Sequence, residues 1–160
     1  MTVSDEPPVR VYKVGGSLFD WPELFGRLAA LLASEPGRPL LVSGGGAAAD
    51  VVRDWDRVHR LGERRAHRLA VTSLRLGEAF LADGLPGGTV VTSRDEAAAA
   101  WSAGRLPVLN VETFLTDEEA AGAEPLPASW DVTSDSIAAW VAWRWPADLV
   151  LLKSATPRTA

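Results

Sequence analysis

The stretch VRVYKVGGS at residues 9–17 decides the fold that we predict for this chain. Residues Val9 to Val14 are mostly β-branched or aromatic, which is typical of a strand buried inside a parallel sheet. Gly15 and Gly16 then end the strand. Lys13 is therefore expected to place a compact positive charge at the strand's C-terminal end, beside backbone amides that an anion can approach closely. Phosphate is the ligand that this pattern favours.

Lysine is rare in this sequence. Of its 16 basic residues 14 are arginine, and the only lysines are Lys13 and Lys153, each at the end of an apolar run. An ammonium and a guanidinium are not interchangeable at a phosphate or another transferred group. We therefore predict that both lysines are catalytic residues at one edge of the sheet.

A second run of glycines follows the next apolar segment, residues 40–43, and opens a helix that runs to about residue 60. Its backbone amides and the positive end of the helix are expected at the same sheet edge. The alternative is that both glycine runs only form tight turns. Neither run fits GxxxxGK[ST] or GxGxxG, which disfavours P-loop proteins and an unrelated Rossmann-like module. The candidate phosphate- or nucleotide-binding residues are Gly15, Gly16, Ser17, Gly44, Gly45, Gly46 and Ser134.

The remaining pattern alternates strands with helices, so the sequence predicts an α/β fold with one domain over residues 1–160. Asp20 is a candidate N-cap, with Pro22 in the first turn of the helix that follows. The segment 116–129, rich in alanine, proline and acidic residues, is predicted as a surface loop with at most one helical turn. Further strands are predicted at 90–92, 106–110 and 148–153, and helices at 20–34, 63–83, 95–102 and 132–145.

Asp135 lies in the sequence TSDS, just before the apolar residues of the last predicted helix. This position places its carboxylate in the first helical turn, near the C-terminal edge of the sheet, where it could orient Lys13. The alternative is that the residue serves only the helix, because acidic and hydroxyl side chains commonly cap helices and complement their dipoles.

Composition limits the classes of partner. A net charge of −5 and a pI near 5.0 argue against general nucleic-acid binding, and no segment has the roughly 20 apolar residues of a membrane span. Without cysteine, and with two histidines that have no ligand spacing, structural zinc is not expected. The cytoplasm is the expected compartment. The sequence leaves the oligomeric state open and is compatible with a homodimer or a higher homo-oligomer formed through exposed helices.

Arg57, His59 and Arg60 belong to the one concentrated basic segment of this acidic chain. Focused positive charge would attract a small anionic substrate, and arginines could hold it through paired hydrogen bonds. We therefore name these three residues as candidate substrate-binding residues. The alternative is a solvated, arginine-rich helix face.

The order of these motifs resembles the amino acid kinase superfamily, which includes acetylglutamate, aspartate, uridylate and isopentenyl phosphate kinases. The resemblance covers most of the chain and rests on KVGGS at 13–17, SGGG at 43–46 and VTSDSIAAW at 132–140, followed by LVLLK at 149–153. The detailed sequence of residues 56–70 and of the TSDSIA segment looks most like that of the small aminomethylfuran phosphate kinases. The resemblance implies a three-layer αβα sandwich with a mainly parallel sheet, of the carbamate kinase-like type.

The resemblance also implies a reaction. It is phosphoryl transfer from ATP, with Mg²⁺, to a carboxylate or phosphate, catalysed mainly by positioning and charge neutralisation. Lys13 matches the family lysine that spans donor and acceptor phosphates, and Asp135 matches the acid that organises the catalytic lysines. Gly15, Gly16, Gly44 and Gly45 match the loops whose amides hold the transferred group.

One departure from the family pattern concerns the C-terminal half. Typical members continue from the strand aligned with 149–153 into a long nucleotide-binding half that carries a second catalytic lysine. This sequence reads KSATP at 153–157 and ends at residue 160, so we expect a shortened nucleotide-binding half and mainly the acceptor-binding half. A non-catalytic subunit that binds an anion or serves assembly is therefore the alternative function.

Overall fold

The computed structural model describes residues 7–154, and within them five strands form one sheet in the order β3-β4-β2-β1-β5. Every neighbouring pair is parallel, so the C-terminal ends of the strands meet at one edge of the sheet. The prediction of an α/β fold with a mainly parallel sheet is confirmed. The strands are β1 (Val9–Val14), β2 (Arg38–Ser43), β3 (Gly88–Val91), β4 (Leu106–Leu109) and β5 (Asp148–Leu152).

Six α-helices connect these strands within the described part of the chain, and a short 3-10 turn covers Gly16–Leu18. The second and third helices form a hairpin, because only residues 60–62 separate them. The helices are α1 (Leu24–Ser34), α2 (Gly46–His59), α3 (Glu63–Gly84), α4 (Arg94–Ser102), α5 (Val111–Ala120) and α6 (Ser134–Arg144).

Two hydrophobic clusters cover the two faces of the sheet, which gives the three layers. One cluster packs alternate residues of the central strands, such as Val11 and Val42, against α4, α5 and α6. The other packs the intervening residues, such as Tyr12 and Leu41, against α1 and the C-terminal part of α3. The period of two along a strand therefore assigns each side chain to its layer, and it turns Lys13 toward the face that α6 covers.

The segment predicted as a loop is partly helical, which corrects the sequence analysis. Residues 116–120 belong to α5, and only the residues after Ala120 are irregular. Two contacts begin this helix: the side chain of Asn110 accepts a hydrogen bond from the amide of Thr113, and Glu78 of α3 accepts one from the amide of Val111. Phe114 and Leu115 are buried in the core, so tertiary packing supports an acidic sequence that looks like a loop.

The start of α1 also differs from the prediction. The helix begins at Leu24 with Glu23 in the capping position, so Asp20 is not its N-cap and Pro22 precedes its first turn. Successive short turns, with the amide of Trp21 donating to Leu18 and that of Leu24 donating to Trp21, occupy the intervening residues. These turns carry the chain away from the glycine loop before α1 can begin.

Candidate active site

Both lysines bind the same carboxylate. The Lys13 ammonium lies 2.8 Å from Oδ1 of Asp135, and the Lys153 ammonium forms an ion pair with Oδ2. The register of the sheet sets up this arrangement, because Lys13 of β1 lies opposite Leu151 of β5 and Lys153 follows the end of that strand. Thr133 caps α6 by accepting from the amide of Ser136, which places Asp135 in the first turn, as predicted.

The three groups differ in their exposure to solvent. Lys13 is only 6% exposed, whereas Lys153 and Asp135 are partly open to water. Burial by itself would raise the pKa of Asp135, but the two ammonium groups outweigh it and hold the pKa of that carboxyl below its ordinary value. Asp135 is therefore ionised at neutral pH, and it keeps the charge of a buried ammonium compensated.

The two glycine loops touch backbone to backbone beside these groups. A Cβ added to Gly16 would lie 2.1 Å from the amide nitrogen of Gly46, so no side chain can be placed between the loops. The amide of Gly44 donates to Val14 and the amide of Gly15 donates to Leu152, which ties both loops to the sheet edge. The close approach explains why glycine is needed at these positions.

Several amides of the loops are left without an acceptor in the part of the chain that the structure describes. They belong to Gly16, Ser17, Gly45, Gly46 and Ala47, the last two at the N-terminal end of α2. Free amides at a helix N-terminus, together with two ammonium groups nearby, form a strongly anion-attracting surface. Both lysines, both glycine loops and Asp135 lie at one edge of the sheet, but Lys153 lines a different cavity from the glycine loops, and the roles of these residues stay predictions.

A cavity of about 150 Å³ opens between the glycine loops, α2, α3 and the start of α6. Gly16, Gly45, Gly46, Thr133 and Ser134 line its polar end, so it adjoins the anion-attracting surface. Ser134 therefore lines the same cavity as the glycine loops, and its role in binding stays a prediction. Ser17 faces a different neighbour, since its hydroxyl lies 2.9 Å from that of Ser154.

Three further residues line this cavity that the sequence analysis did not select: Arg53, His67 and Trp130. The guanidinium of Arg53 lies 5.1 Å from the ring centre of Trp130 and 2.6 Å from a carboxylate oxygen of Asp50. His67 Nδ1 lies 3.1 Å from the carbonyl oxygen of Ser129. A carbonyl can only accept, so Nδ1 is the donor in this hydrogen bond.

The predicted substrate-binding residues Arg57, His59 and Arg60 lie at the other end of α2. From Gly46 to these residues the helix rises by roughly 15–20 Å, and all three are exposed. Arg57 forms an ion pair with Asp54, one turn earlier. The structure thus does not bring them to the glycine loops, and their role stays a prediction. The sequence could have indicated Arg53 instead, because this residue lies one turn closer to Gly46 on the same arginine-rich face of α2.

No group of three or more metal-ligating side chains occurs among residues 7–154. Both oxygens of Asp135 already face ammonium groups. The described helices include none that is long and apolar enough to cross a membrane.

Comparison with known proteins tests the resemblance seen in the sequence. A model of the amino acid kinase family matches residues 8–157, nearly the whole chain. The chain belongs to the amino acid kinase family. The solved uridylate kinase from Archaeoglobus fulgidus is similar to it in fold, with a TM-score of 0.60 and 19% sequence identity over 96% of this chain and 68% of that one. No curated protein matches the sequence.

Family membership gives the arrangement a chemical meaning. Members of the amino acid kinase family are kinase-like phosphotransferases, and they typically use ATP with Mg²⁺. The expected shortening of the C-terminal half concerns residues from 155 onwards, outside the described residues, and stays a prediction.

Proposed function

We propose that this chain transfers the γ-phosphoryl group of ATP, bound with Mg²⁺, to a carboxylate or phosphate of a small anionic metabolite. The observation that carries the proposal is the pair of lysines on one carboxylate, beside the unpartnered amides of two glycine loops. Phosphoryl transfer needs groups that hold and neutralise the moving phosphoryl charge, and it needs little covalent chemistry from the protein.

The side chains and amides of this site fit the phosphates of a nucleotide. Lys13, Lys153 and the amides of Gly16, Gly45 and Gly46 would hold them, and when bound the nucleotide supplies the phosphoryl group and its magnesium neutralises charge. The described residues offer no three-ligand cation cluster, so the magnesium would arrive largely on the phosphates. Lys13, buried between strand and helix, would then contact the transferred group itself.

Asp135 acts as a positioning residue in this proposal. It fixes both ammonium groups before substrate arrives, so little reorganisation is needed when charge develops. An oxygen of the acceptor attacks the γ-phosphorus while the bond to the β-phosphate oxygen breaks, and ADP leaves. The cavity lined by Arg53, His67 and Trp130 would hold the acceptor, with the guanidinium compensating an acceptor charge.

The test measures ATP turnover by ³¹P NMR with Mg²⁺ and a panel of acceptors: aspartate, glutamate, carbamate, UMP, isopentenyl phosphate and aminomethylfuran phosphate. Aminomethylfuran phosphate is included because the sequence of this chain resembles that of the aminomethylfuran phosphate kinases. Transfer to one acceptor, abolished in Lys13→Ala and retained in Arg27→Ala, supports the proposal. Arg27 is a matched control, because it is an exposed cation on α1 whose contacts are local, an ion pair with Glu23 one turn away and the ring of Trp21.

The alternative function is a non-catalytic anion-binding or assembly subunit. Calorimetry with the ATP analogue AMP-PNP separates the two functions. Saturable binding that requires Mg²⁺ and Lys13 favours the kinase. Binding of the phosphorylated acceptors without binding of AMP-PNP and without turnover would sink the kinase proposal and leave the alternative. A cytoplasmic site of action, where ATP is available, is part of the kinase proposal.

A further inference from the structure

Asp56 occupies an electrostatically unfavourable position in the last turn of α2. The helix ends at His59, and the partial negative charge of a helix C-terminus disfavours a carboxylate there. Two hydrogen bonds offset this effect: Oδ1 accepts from the amide of Gly62 at 3.1 Å, and Oδ2 accepts from Nε1 of Trp130 at 2.9 Å. Asp56 therefore connects the hairpin of α2 and α3 to a residue that lies 74 positions later in the chain.

The bond to Gly62 fixes Asp56 relative to α3. Residues 60–62 connect the two helices, and Arg60 and Gly62 both have positive φ angles, of 51° and 78°. The main-chain carbonyl of Asp56 accepts from the amide of Arg60 at 2.8 Å, so the main chain and the side chain of this one residue both close the turn. The carboxylate thus has a set direction before Trp130 contacts it.

The bond to Trp130 reaches the acceptor cavity. Trp130 and Arg53 line that cavity, whereas Asp56 does not. The Arg53 guanidinium lies 5.1 Å from the ring centre of Trp130, within the range of a cation–π contact. Because Asp56 holds the nitrogen edge of the indole, the ring presents a fixed face to a side chain that is otherwise largely exposed.

Trp130 belongs to a segment that has no regular structure of its own to hold it in place. Residues 121–133, which we call the connecting segment, join α5 to α6 and contain no helix or strand. His67 of α3 donates to the carbonyl of Ser129, the neighbour of Trp130. The connecting segment is therefore fastened to both helices of the hairpin at adjacent residues, and its order depends on these side-chain contacts.

We propose that Asp56 is a positioning residue of the acceptor cavity, where it fixes the ring of Trp130 and, through that ring, the guanidinium of Arg53. This role rests on the proposed function, which takes the cavity as the acceptor site. Side chains that are already ordered lose less conformational entropy when a ligand binds, so the two hydrogen bonds of Asp56 strengthen acceptor binding. Because Asp56 does not line the cavity, its loss should raise KM for the acceptor and leave kcat nearly unchanged.

The first experiment compares Asp56→Ala with the unaltered chain in steady-state kinetics, using the acceptor of the panel that is phosphorylated. KM for the acceptor should rise about tenfold in Asp56→Ala, and kcat should stay within about twofold. Asp56→Asn keeps one carbonyl oxygen for the indole and should recover most of the loss. Asp54→Ala is the matched control, because Asp54 lies about 200° around the same helix and pairs with Arg57. A fall of kcat at unchanged KM overturns the proposal.

A double-mutant cycle tests whether Asp56 acts through Trp130. Trp130→Phe keeps an aromatic ring in the cavity but removes the N–H group that Asp56 binds. Residues that act as one unit are not additive, so KM of the double variant should not exceed that of the weaker single variant by more than about twofold. Effects on KM that multiply in the double variant would show independent action and overturn the proposal.

Hydrogen exchange followed by mass spectrometry tests the contact without any substrate. Amides of the connecting segment should exchange about tenfold faster in Asp56→Ala, while the sheet, and the whole of Asp54→Ala, should match the unaltered chain. Equal exchange of the connecting segment in all three proteins overturns the proposal.

Calorimetry with the same acceptors separates this role from the proposed function. If the unaltered chain binds an acceptor without turnover, the proposed function fails, and the comparison of Asp56→Ala with Asp54→Ala is made on dissociation constants, with the same tenfold expectation. An unaltered chain that binds no acceptor of the panel overturns both proposals.

Discussion

Lys13 lies 2.8 Å from Asp135, although the two residues come from opposite ends of the described chain. Lys13 belongs to the central strand next to the glycine loop, and Asp135 opens the helix that covers the same face of the sheet. A buried ammonium without a counter-ion lowers the stability of a fold by several kcal/mol. Lys13 and Asp135 avoid this loss because each compensates the charge of the other. The same ion pair therefore stabilises the fold and sets the charges of the candidate active site.

Asp135→Asn should lower both stability and turnover. The substitution leaves the Lys13 ammonium buried and unpaired beside that of Lys153, and we expect unfolding to cost about 2–3 kcal/mol less. If the proposed kinase reaction holds, turnover should fall about 100-fold, because displaced lysines no longer meet the phosphates. Urea unfolding and ³¹P NMR measure the two effects. Asp148→Asn is the control, since Asp148 is exposed and its ion pair with Arg10 is long, at 3.8 Å. Equal losses of stability and turnover in both variants would contradict the role assigned to Asp135.

Acid should weaken the protein through Asp135. Its pKa is lowered in the fold, so the ion pairs stabilise the native state fully above the ordinary pKa, and this contribution is lost as pH falls through the lowered pKa. The unfolding free energy of the unaltered chain should thus decline more steeply below pH 4 than that of Asp135→Asn. Urea unfolding at a series of acidic pH values checks the slopes, and parallel curves would speak against the ion pairs.

Gly16→Ala should disrupt the contact between the two glycine loops. The added Cβ would lie 2.1 Å from the amide nitrogen of Gly46 and 2.3 Å from its Cα, so one loop must move away and the amides lose their common direction. We expect a loss of stability of about 2 kcal/mol or more, together with loss of AMP-PNP binding. Gly26→Ala is the matched control because nothing lies within 4 Å of its new Cβ. An exposed alanine in helix α1 should raise stability by about 0.5–1 kcal/mol.

Arg53→Ala and Arg57→Ala distinguish the cavity found in the structure from the acceptor site predicted from the sequence. Arg53 lines the cavity next to the glycine loops, whereas Arg57 lies one turn farther from them along α2. We expect KM for the acceptor to rise about tenfold or more in Arg53→Ala, because a charge-assisted contact is lost, and to change little in Arg57→Ala. Steady-state kinetics with the identified acceptor decide between them. The opposite order would return the acceptor site to the basic segment.

Glu78 should make stability depend on pH near neutrality. Burial raises its pKa from an ordinary value near 4.5 to about 7, although the amide of Val111 and the side chain of Asn110 donate hydrogen bonds to it. Between these pH values the folded state keeps a proton that the unfolded state has lost, so the unfolding free energy falls as pH rises, by about 3 kcal/mol. Urea unfolding from pH 5 to 8 should show this slope in the unaltered chain and in Glu119→Gln, an exposed control on α5. A similar slope in Glu78→Gln would remove Glu78 as its source.

The sequence was sufficient to predict the sheet edge and the groups that meet there. Lys13, Lys153 and both glycine runs each follow or end an apolar strand, and parallel strands bring such positions to one edge whatever the rest of the chain does. Asp135 was predictable because the hydroxyl residues before it mark the start of a helix. Local sequence therefore contained most of the candidate site.

The elements that local sequence did not predict depend on contacts from distant residues. The acidic segment of α5 is helical because Glu78, on α3, accepts a hydrogen bond from the first amide of the helix, and because Phe114 is buried. The spacing of Val111, Phe114 and Leu115 at three and four residues was a signal that the composition obscured. The cavity that Arg53 lines also depends on distant residues, because His67 of α3 and Trp130 complete it.

The rarity of lysine gives this protein a practical property. Because both of its lysines meet at Asp135, reagents that modify amines can reach no other side chain in the chain, and apart from the α-amino group every label falls within the candidate active site. Reductive methylation with ¹³C-formaldehyde would place one spectroscopic probe on the partly exposed Lys153 and a second, more slowly, on Lys13. Ligand binding and changes in the environment of the two ammonium groups can then be followed in the unaltered sequence, without mutagenesis.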